Sequence, residues 1–185
     1  MPQTKPIISI ENVVASASVN QRLDLNQITR TFTDVEYHPD QFPGLVFRLK
    51  MPKTATLIFS SGKMVCTGAK SSDLASKAVR TVVQKLRKGG IDIVNEAEIV
   101  IQNIVASASL GGTVHLEEAA RQLPKSMYEP EQFPGLIHRM SEPKTVILLF
   151  ASGKLVCTGA KKEVEVYQAV NNLHNKLEQM QLMIY

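Results

Sequence analysis

IENVVASAS at Ile10–Ser18 returns as IQNIVASAS at Ile101–Ser109, and the offset of 91 residues then holds without a gap. QFPGL at Gln41–Leu45 returns at Gln132–Leu136, PKT recurs at Pro52 and Pro143, and SGK-x-VCTGAK recurs from Ser61 and from Ser152. From Ile10 to Leu86, about 35 of the 77 positions are identical to their partners, far above chance. Two copies are too few for a solenoid, in which three or more repeats bury one another's faces. The duplication points instead to one fold with an internal pseudo-twofold axis, its halves at residues 1–91 and 92–185. The joining segment, DIVNEAEI from Asp92 to Ile99, is too short and too apolar to act as a free linker.

Each half reads as α+β. Ile7 to Ser18 is β-rich, and Asp24 is a candidate N-cap for a helix carrying Leu25, Ile28, Phe32 and Val35 at helical spacing. After the Pro-Gly turn of Gln41–Leu45, strand-like runs cover Leu45–Leu49, Ala55–Ser60 and Met64–Gly68, separated by turns at Met51–Lys53 and Ser61–Lys63. Ser71 or Ser72 caps a long helix with Leu74, Ala78, Val79, Val82 and Leu86 inward, closed by Gly89-Gly90. Val166, Val170, Leu173, Leu177 and Met180 repeat that pattern in the second half. The strands are apolar on both faces, whereas two helices per half cover only one side of a sheet. Val14, Leu57, Phe59 and Val65, with Val105, Leu148, Phe150 and Val156, are left for the other side. Such a face is a binding surface, one half of a sandwich, or a dimer interface.

The other residues exclude more than they assign. Hydrophobic residues make up 44% and charged residues 21%, a composition that folds. No run approaches the roughly 18 apolar residues of a membrane span, and MPQTKPIISIENVV lacks the pattern of a signal peptide. Two cysteines, Cys66 and Cys157, are repeat mates and read as buried free thiols of an intracellular protein. SGK resembles the end of a phosphate-binding loop, but the upstream glycine is Leu57 or Leu148, and Met64 or Leu155 follows the lysine. His38, His115, His138 and His174 do not coincide between repeats, so they read as solvated or structural. Glu117-Glu118 reads as the acidic first turn of a helix. No enzyme, cofactor or metal centre is expected.

The net charge of +4 is a weak pointer by itself. Its placement says more: Arg48/Arg139, Lys53/Lys144, Lys63/Lys154 and Lys70/Lys161 are four matched cation pairs. A twofold set of cations beside an apolar sheet face suits a nearly twofold polyanion such as duplex DNA.

The duplicated N-[IV]-V-A, Y-x-P-x-x-FPGL-[IV]-x-R and PKT-x-x-L-x-F-x-SGK-x-V-x-TGAK blocks resemble the conserved core of the TATA-box-binding protein family, over roughly Ile7 to Gln181. The resemblance implies a saddle-shaped pseudo-twofold tandem repeat: a curved ten-stranded antiparallel sheet with four helices on its convex face. The two repeats would together be one intramolecular pseudo-dimeric DNA-binding domain. It implies a general transcription initiation factor of archaeal type that binds and bends the minor groove of the TATA box and nucleates the preinitiation complex. The archaeal lean follows from the closely similar repeats, the lack of a long low-complexity extension before Ile7, and the lack of an acidic tail.

Residue by residue, the resemblance implies that Phe42 with Phe59, and Phe133 with Phe150, are wedges entering base steps. Asn12, Asn103, Thr67 and Thr158 would donate to groove acceptors, with Val14, Val65, Val105 and Val156 flat against the floor. Leu57 and Leu148 would support the wedges, and Ser16 and Ser107 would face the groove. Arg48, Ser61, Lys63, Lys70, Arg139, Ser152, Lys154 and Lys161 match phosphate-contacting positions. Glu129, Glu131 and Gln132 match the stirrup that meets the B-class initiation factor, through which RNA polymerase is recruited. Localisation would be cytoplasmic on the nucleoid, or nuclear in a eukaryote, with no membrane partner. Alternatives are a nonspecific architectural DNA-bending protein and a protein-interaction module, with self-association as the cover for the apolar face when DNA is absent.

Overall fold

Residues 4–185 are described by the computed structural model; Met1–Gln3, which begin the first expected repeat and the stretch read against a signal peptide, lie outside the described residues. In β1 (Ile7–Ser18) Val13, Ala15 and Ala17 are buried, while Asn12, Val14, Ser16 and Ser18 remain half-buried. Period-two burial is what a strand shows when one face meets a core and the other does not. The same alternation runs through β3 (Leu45–Lys50), β4 (Lys53–Ile58) and β5 (Lys63–Ala69). It recurs in β6 (Glu98–Ser109), β9 (Leu136–Ser141), β10 (Lys144–Leu149) and β11 (Lys154–Ala160). The short strands β2 (Glu36–Tyr37) and β8 (Ser126–Met127) pair with β3 and β9. Ten strands are hydrogen-bonded in the order β2-β3-β4-β5-β1-β6-β11-β10-β9-β8, an antiparallel sheet joined by four helices. This is the α+β architecture expected.

The chain divides into two compact units, Asn12–Gln102, and Met1–Glu11 with Asn103–Tyr185; the boundaries fall inside β1 and β6. In the Asn12–Gln102 unit, α2 (Ser72–Lys88) packs on β5, β4 and β3 and buries Ala75, Ala78, Val79, Val82, Val83 and Leu86. Ser71 is its N-cap, accepting from the Leu74 backbone N–H at 3.0 Å. Leu74 was expected inward but is exposed, because the buried stripe is centred one residue further on, at Ala75. The shorter α1 (Leu25–Thr31) is capped by Asp24, whose Oδ1 accepts from Asn26 and Gln27. It ends before Phe32 and Val35, contrary to the spacing argument. The Phe32 backbone is extended, and its ring instead stacks edge-on against Phe47 at 5.3 Å. The connecting segment is held down as its composition suggested: Ile91 and Ile93 are buried, and Arg87 Nε donates to the Ile93 carbonyl at 2.9 Å.

In the other unit α3 (Leu116–Gln122) and α4 (Glu163–Gln179) take the corresponding roles, and Leu136, Ile147, Leu149, Val170 and Leu173 are in its core. Met180 is the C-cap of α4 and packs against that core half-buried. Two further strands, β7 (Thr113–Val114) and β12 (Met183–Ile184), pair separately and fasten the C-terminal segment. Tyr185 donates to Glu178, and His174 Nε2 lies 3.2 Å from the tyrosine hydroxyl. Among the described residues no helix is long and apolar enough to cross a membrane.

Candidate nucleic-acid interface

Register places the expected residues on the half-exposed face of each unit. Val46 pairs with Leu57, Leu57 with Val65, and Val65 with Ser16, which makes one row across β3, β4, β5 and β1. Arg48, Ala55 and Thr67 form the next row. In the other unit Ile137, Leu148, Val156 and Ser107 make the first row, and Arg139, Val146 and Thr158 the second. All of these are half-buried except the exposed arginines. Val14 and Val105 share that half-buried state on β1 and β6. Val46, Ala55, Ile137 and Val146 were not singled out from sequence. Their signal was the two-residue period: each stands at an even step from a residue already assigned to this face, or directly across the ladder from one.

Asn12 and Asn103 are aimed by a distortion of the ladder. Val13 pairs with Ala69 but Ala15 with Cys66, so β5 carries one residue more than β1 over that stretch. β11 does the same between Cys157 and Ala160. The extra residue is accommodated by Gly68 at φ +100 and Gly159 at φ +96, a conformation that costs glycine little. Asn12 Oδ1 accepts the Gly68 backbone N–H at 2.6 Å, and Asn103 Oδ1 accepts that of Gly159 at 2.7 Å. Each amide nitrogen then donates to the neighbouring threonine hydroxyl, Thr67 at 3.0 Å and Thr158 at 3.1 Å. An amide nitrogen carries two hydrogens, so one N–H of each asparagine remains for a ligand.

The phenylalanine pairs are formed. Phe42 and Phe59 meet edge to face with centroids 5.9 Å apart, and Phe133 and Phe150 do so at 5.8 Å. Phe42 is 44% and Phe133 37% exposed, high for rings of that size. The turn glycines make this approach possible. A Cβ at Gly44 would stand 2.6 Å from Phe42, and one at Gly135 2.7 Å from Phe133. Beside Phe59 opens a cavity of about 700 Å³ lined by Ser16, Ser61, Lys63 and Val65; beside Phe150 one of about 660 Å³ is lined by Ser107, Ser152, Lys154 and Val156. Predicted wedge, floor and phosphate residues therefore come together within each unit.

Several of the expected residues have partners within the protein. Ser16 accepts from Gln102 Nε2 at 2.8 Å, and Ser107 donates to Glu11 at 2.8 Å. Arg48 is ion-paired with Glu36 at 2.7 Å. Arg139 and Lys161 line a separate cavity with Lys125 and Lys144. Glu129, Glu131 and Gln132 sit in an exposed turn closed by the Phe133 N–H on the Glu129 carbonyl. The histidines divide: His38 is exposed, His115 caps α3, and His138 and His174 are buried. Cys66 and Cys157 are fully buried free thiols; burial pushes Cys66 up and Cys157 to about 11, so neither is a thiolate at neutral pH.

The family model "Transcription factor TFIID (or TATA-binding protein, TBP)" matches this chain twice, at residues 7–89 and 98–180. The chain belongs to the TATA-binding-protein family. It is 57% identical over 178 residues to the TATA-box-binding protein of Pyrodictium occultum, covering 96% of this chain and 89% of that one. It is 53% identical to the TATA-box-binding protein of Sulfolobus acidocaldarius, covering 95% and 89%. Among solved structures, Methanococcus jannaschii TBP superimposes with a TM-score of 0.84 at 44% identity, over 93% of this chain and 98% of that one. These relatives are archaeal, in keeping with the archaeal-type reading. The TATA-binding-protein family is one of transcription factors, not of enzymes.

Proposed function

We propose that this chain is a general transcription initiation factor that binds the minor groove of a TATA-like promoter element, bends it, and nucleates the preinitiation complex. The observation that carries the reading is the half-exposed apolar face repeated in both units, flanked by an oriented asparagine–threonine pair and a phenylalanine pair. The repeats, 1–91 and 92–185, act as one DNA-binding domain in which each takes half of the site.

The chemistry follows from the groove. A·T pairs expose only acceptors, adenine N3 and thymine O2, so the free N–H of Asn12 or Asn103 and the Thr67 and Thr158 hydroxyls suffice as donors. Val14, Val65, Val105 and Val156, joined by Val46, Ala55, Ile137 and Val146, form an apolar floor. A guanine amino group pressed on it loses water without gaining an acceptor, which disfavours G·C pairs. The Phe42–Phe59 and Phe133–Phe150 pairs replace a stacking neighbour at a base step, and Leu57 and Leu148 back them. Unstacking costs a few kcal/mol per step in this mode of binding, for which this family is itself a type case. Flexible pyrimidine–purine steps lower that cost and add to the preference. Ser16 and Ser107 serve the groove edge. Arg48, Ser61, Lys63, Lys70 and their mates Arg139, Ser152, Lys154 and Lys161 contact phosphates.

The exposed Glu129, Glu131 and Gln132 are the contact for a B-class initiation factor, which brings in RNA polymerase. The protein works in the cytoplasm, on the nucleoid. A gel shift with bend measurement tests the reading: a TATA duplex is bound and bent, and the same duplex with G·C substitutions is bound far more weakly. Equal affinity for both at matched salt overturns it in favour of nonspecific architecture. No DNA binding, with concentration-dependent sedimentation, overturns it in favour of a face made for protein.

A further inference from the structure

The outer edges of the two repeats are not electrically equivalent. At the six second-repeat positions Lys125, Met127, Arg139, Ser141, Lys144 and Lys161 there are four cations and no carboxylate. The matched first-repeat positions, Asp34, Glu36, Arg48, Lys50, Lys53 and Lys70, hold four cations and two carboxylates. In the first repeat Glu36, opposite Val46 in the ladder, holds the Arg48 guanidinium at 2.7 Å. In the second, Met127 takes the equivalent place opposite Ile137 and offers Arg139 no charge. Lys125 adds a cation instead. Its Nζ donates to Ser141 at 2.9 Å, and with Arg139, Lys144 and Lys161 it lines a cavity of about 500 Å³. The carboxylate of the same turn, Glu142, whose repeat mate is Met51, lines a neighbouring cavity together with Lys125 and Arg139 but forms no ion pair with either among the described residues. Arg139 shares its row with Val146 and Thr158, so the cationic cavity adjoins the groove-facing surface.

We infer that this face holds the DNA backbone unequally: the second repeat, with Lys125 as a further phosphate-binding residue, is the tighter anchor, and Glu36 weakens the first by competing for Arg48. The inference rests on the DNA-binding role proposed above and names what biases that role. A phosphate reaching Arg48 must displace a carboxylate, whereas Arg139 has no ion pair among the described residues for a phosphate to break. On a site whose halves are nearly alike, unequal grip assigns the second repeat to the half whose flanking backbone lies closer.

Salt titration of affinity for a TATA duplex tests this with the full chain, because each phosphate contact adds about 0.9 to the slope of log K against log salt. Arg139→Ala and Lys125→Asn are each expected to lower the slope by about 0.9. Arg48→Ala should lower it by clearly less than Arg139→Ala does, and by about 0.9 once Glu36→Gln is also present. Glu36→Gln alone should tighten binding about two- to fivefold, the range of an exposed ion pair. Asparagine is chosen for position 125 because Lys125 has φ 53, which asparagine tolerates. Equal slope changes for Arg48→Ala and Arg139→Ala, or none for Lys125→Asn, overturn the inference and leave the proposed function standing. Unequal slopes on a chain that does not distinguish TATA from G·C duplexes support it and sink the sequence-specific reading instead. A chain that binds no DNA sinks both.

Discussion

Phe59 and Phe150 directly follow β4 and β10, each held edge-on by a more exposed ring. Phe59→Ala and Phe150→Ala remove the backed half of each wedge and are expected to weaken TATA binding at least about tenfold, or ~1.4 kcal/mol, and to reduce the bend. Circularly permuted duplexes in a gel shift measure both quantities at once. His138 is a different kind of residue: its repeat mate is Phe47, and the imidazole occupies a fully buried site with no well-formed hydrogen bond to either ring nitrogen among the described residues. Burial pushes its pKa down, the nearby Lys176 adds to this, and the Pro124 carbonyl opposes it. A folded-state pKa below the unfolded one means that the neutral ring is the stabilising form. That contribution is complete above the ordinary histidine value of about 6.5 and is lost as pH falls below it. His138→Phe, borrowing the side chain of the other repeat, should raise the melting temperature at pH 5 more than at pH 8. A shift equal at both pH values would count against this assignment.

At the scale of elements, much was legible because burial and hydrogen bonding leave regular marks. The strands, the Asp24 and Ser71 caps and the long helices followed from two- and four-residue periods. What failed depended on tertiary choices that a single chain does not spell out. Phe32 and Val35 match a helical period, but Phe32 gains more from Phe47 than from another turn of α1. Leu74 was misassigned because alanines, weak as hydrophobic signals, occupy the inward stripe. The bulges were invisible, since TGAK reads as an ordinary strand end until the register against β1 or β6 is known. They are also where sheet and candidate site meet, because the same glycine that absorbs the extra residue offers its N–H to Asn12 or Asn103. Gly68→Ala and Gly159→Ala force a side chain into positive φ and should each cost about 1–3 kcal/mol in denaturant unfolding. Their space is adequate, with no atom nearer than 3.4 Å to the added carbon. The accompanying loss of TATA affinity should exceed that of an equally destabilising change in α2, since only the glycine change misaims Asn12 or Asn103.

For the whole molecule, the constant offset of 91 residues stated at once that one physical solution is used twice, and the family match at residues 7–89 and 98–180 follows that division. The candidate site is legible in the sequence to the extent that it is duplicated; Lys125 and Glu36 differ between the copies and so carry no such mark. If about six phosphates are neutralised, affinity should fall by about 10³-fold between 50 and 200 mM salt. A much shallower dependence would mean that the apolar face, rather than the cations, dominates binding. The paired buried thiols have a use unrelated to DNA. Cys66 and Cys157 occupy equivalent places, one in each unit, with no exposure. Each is therefore a clock for the opening of its own half. Under native conditions a thiol reagent read out by peptide mass would time the two separately, without any probe having to be introduced, and would show which copy of a duplicated fold is the first to come apart.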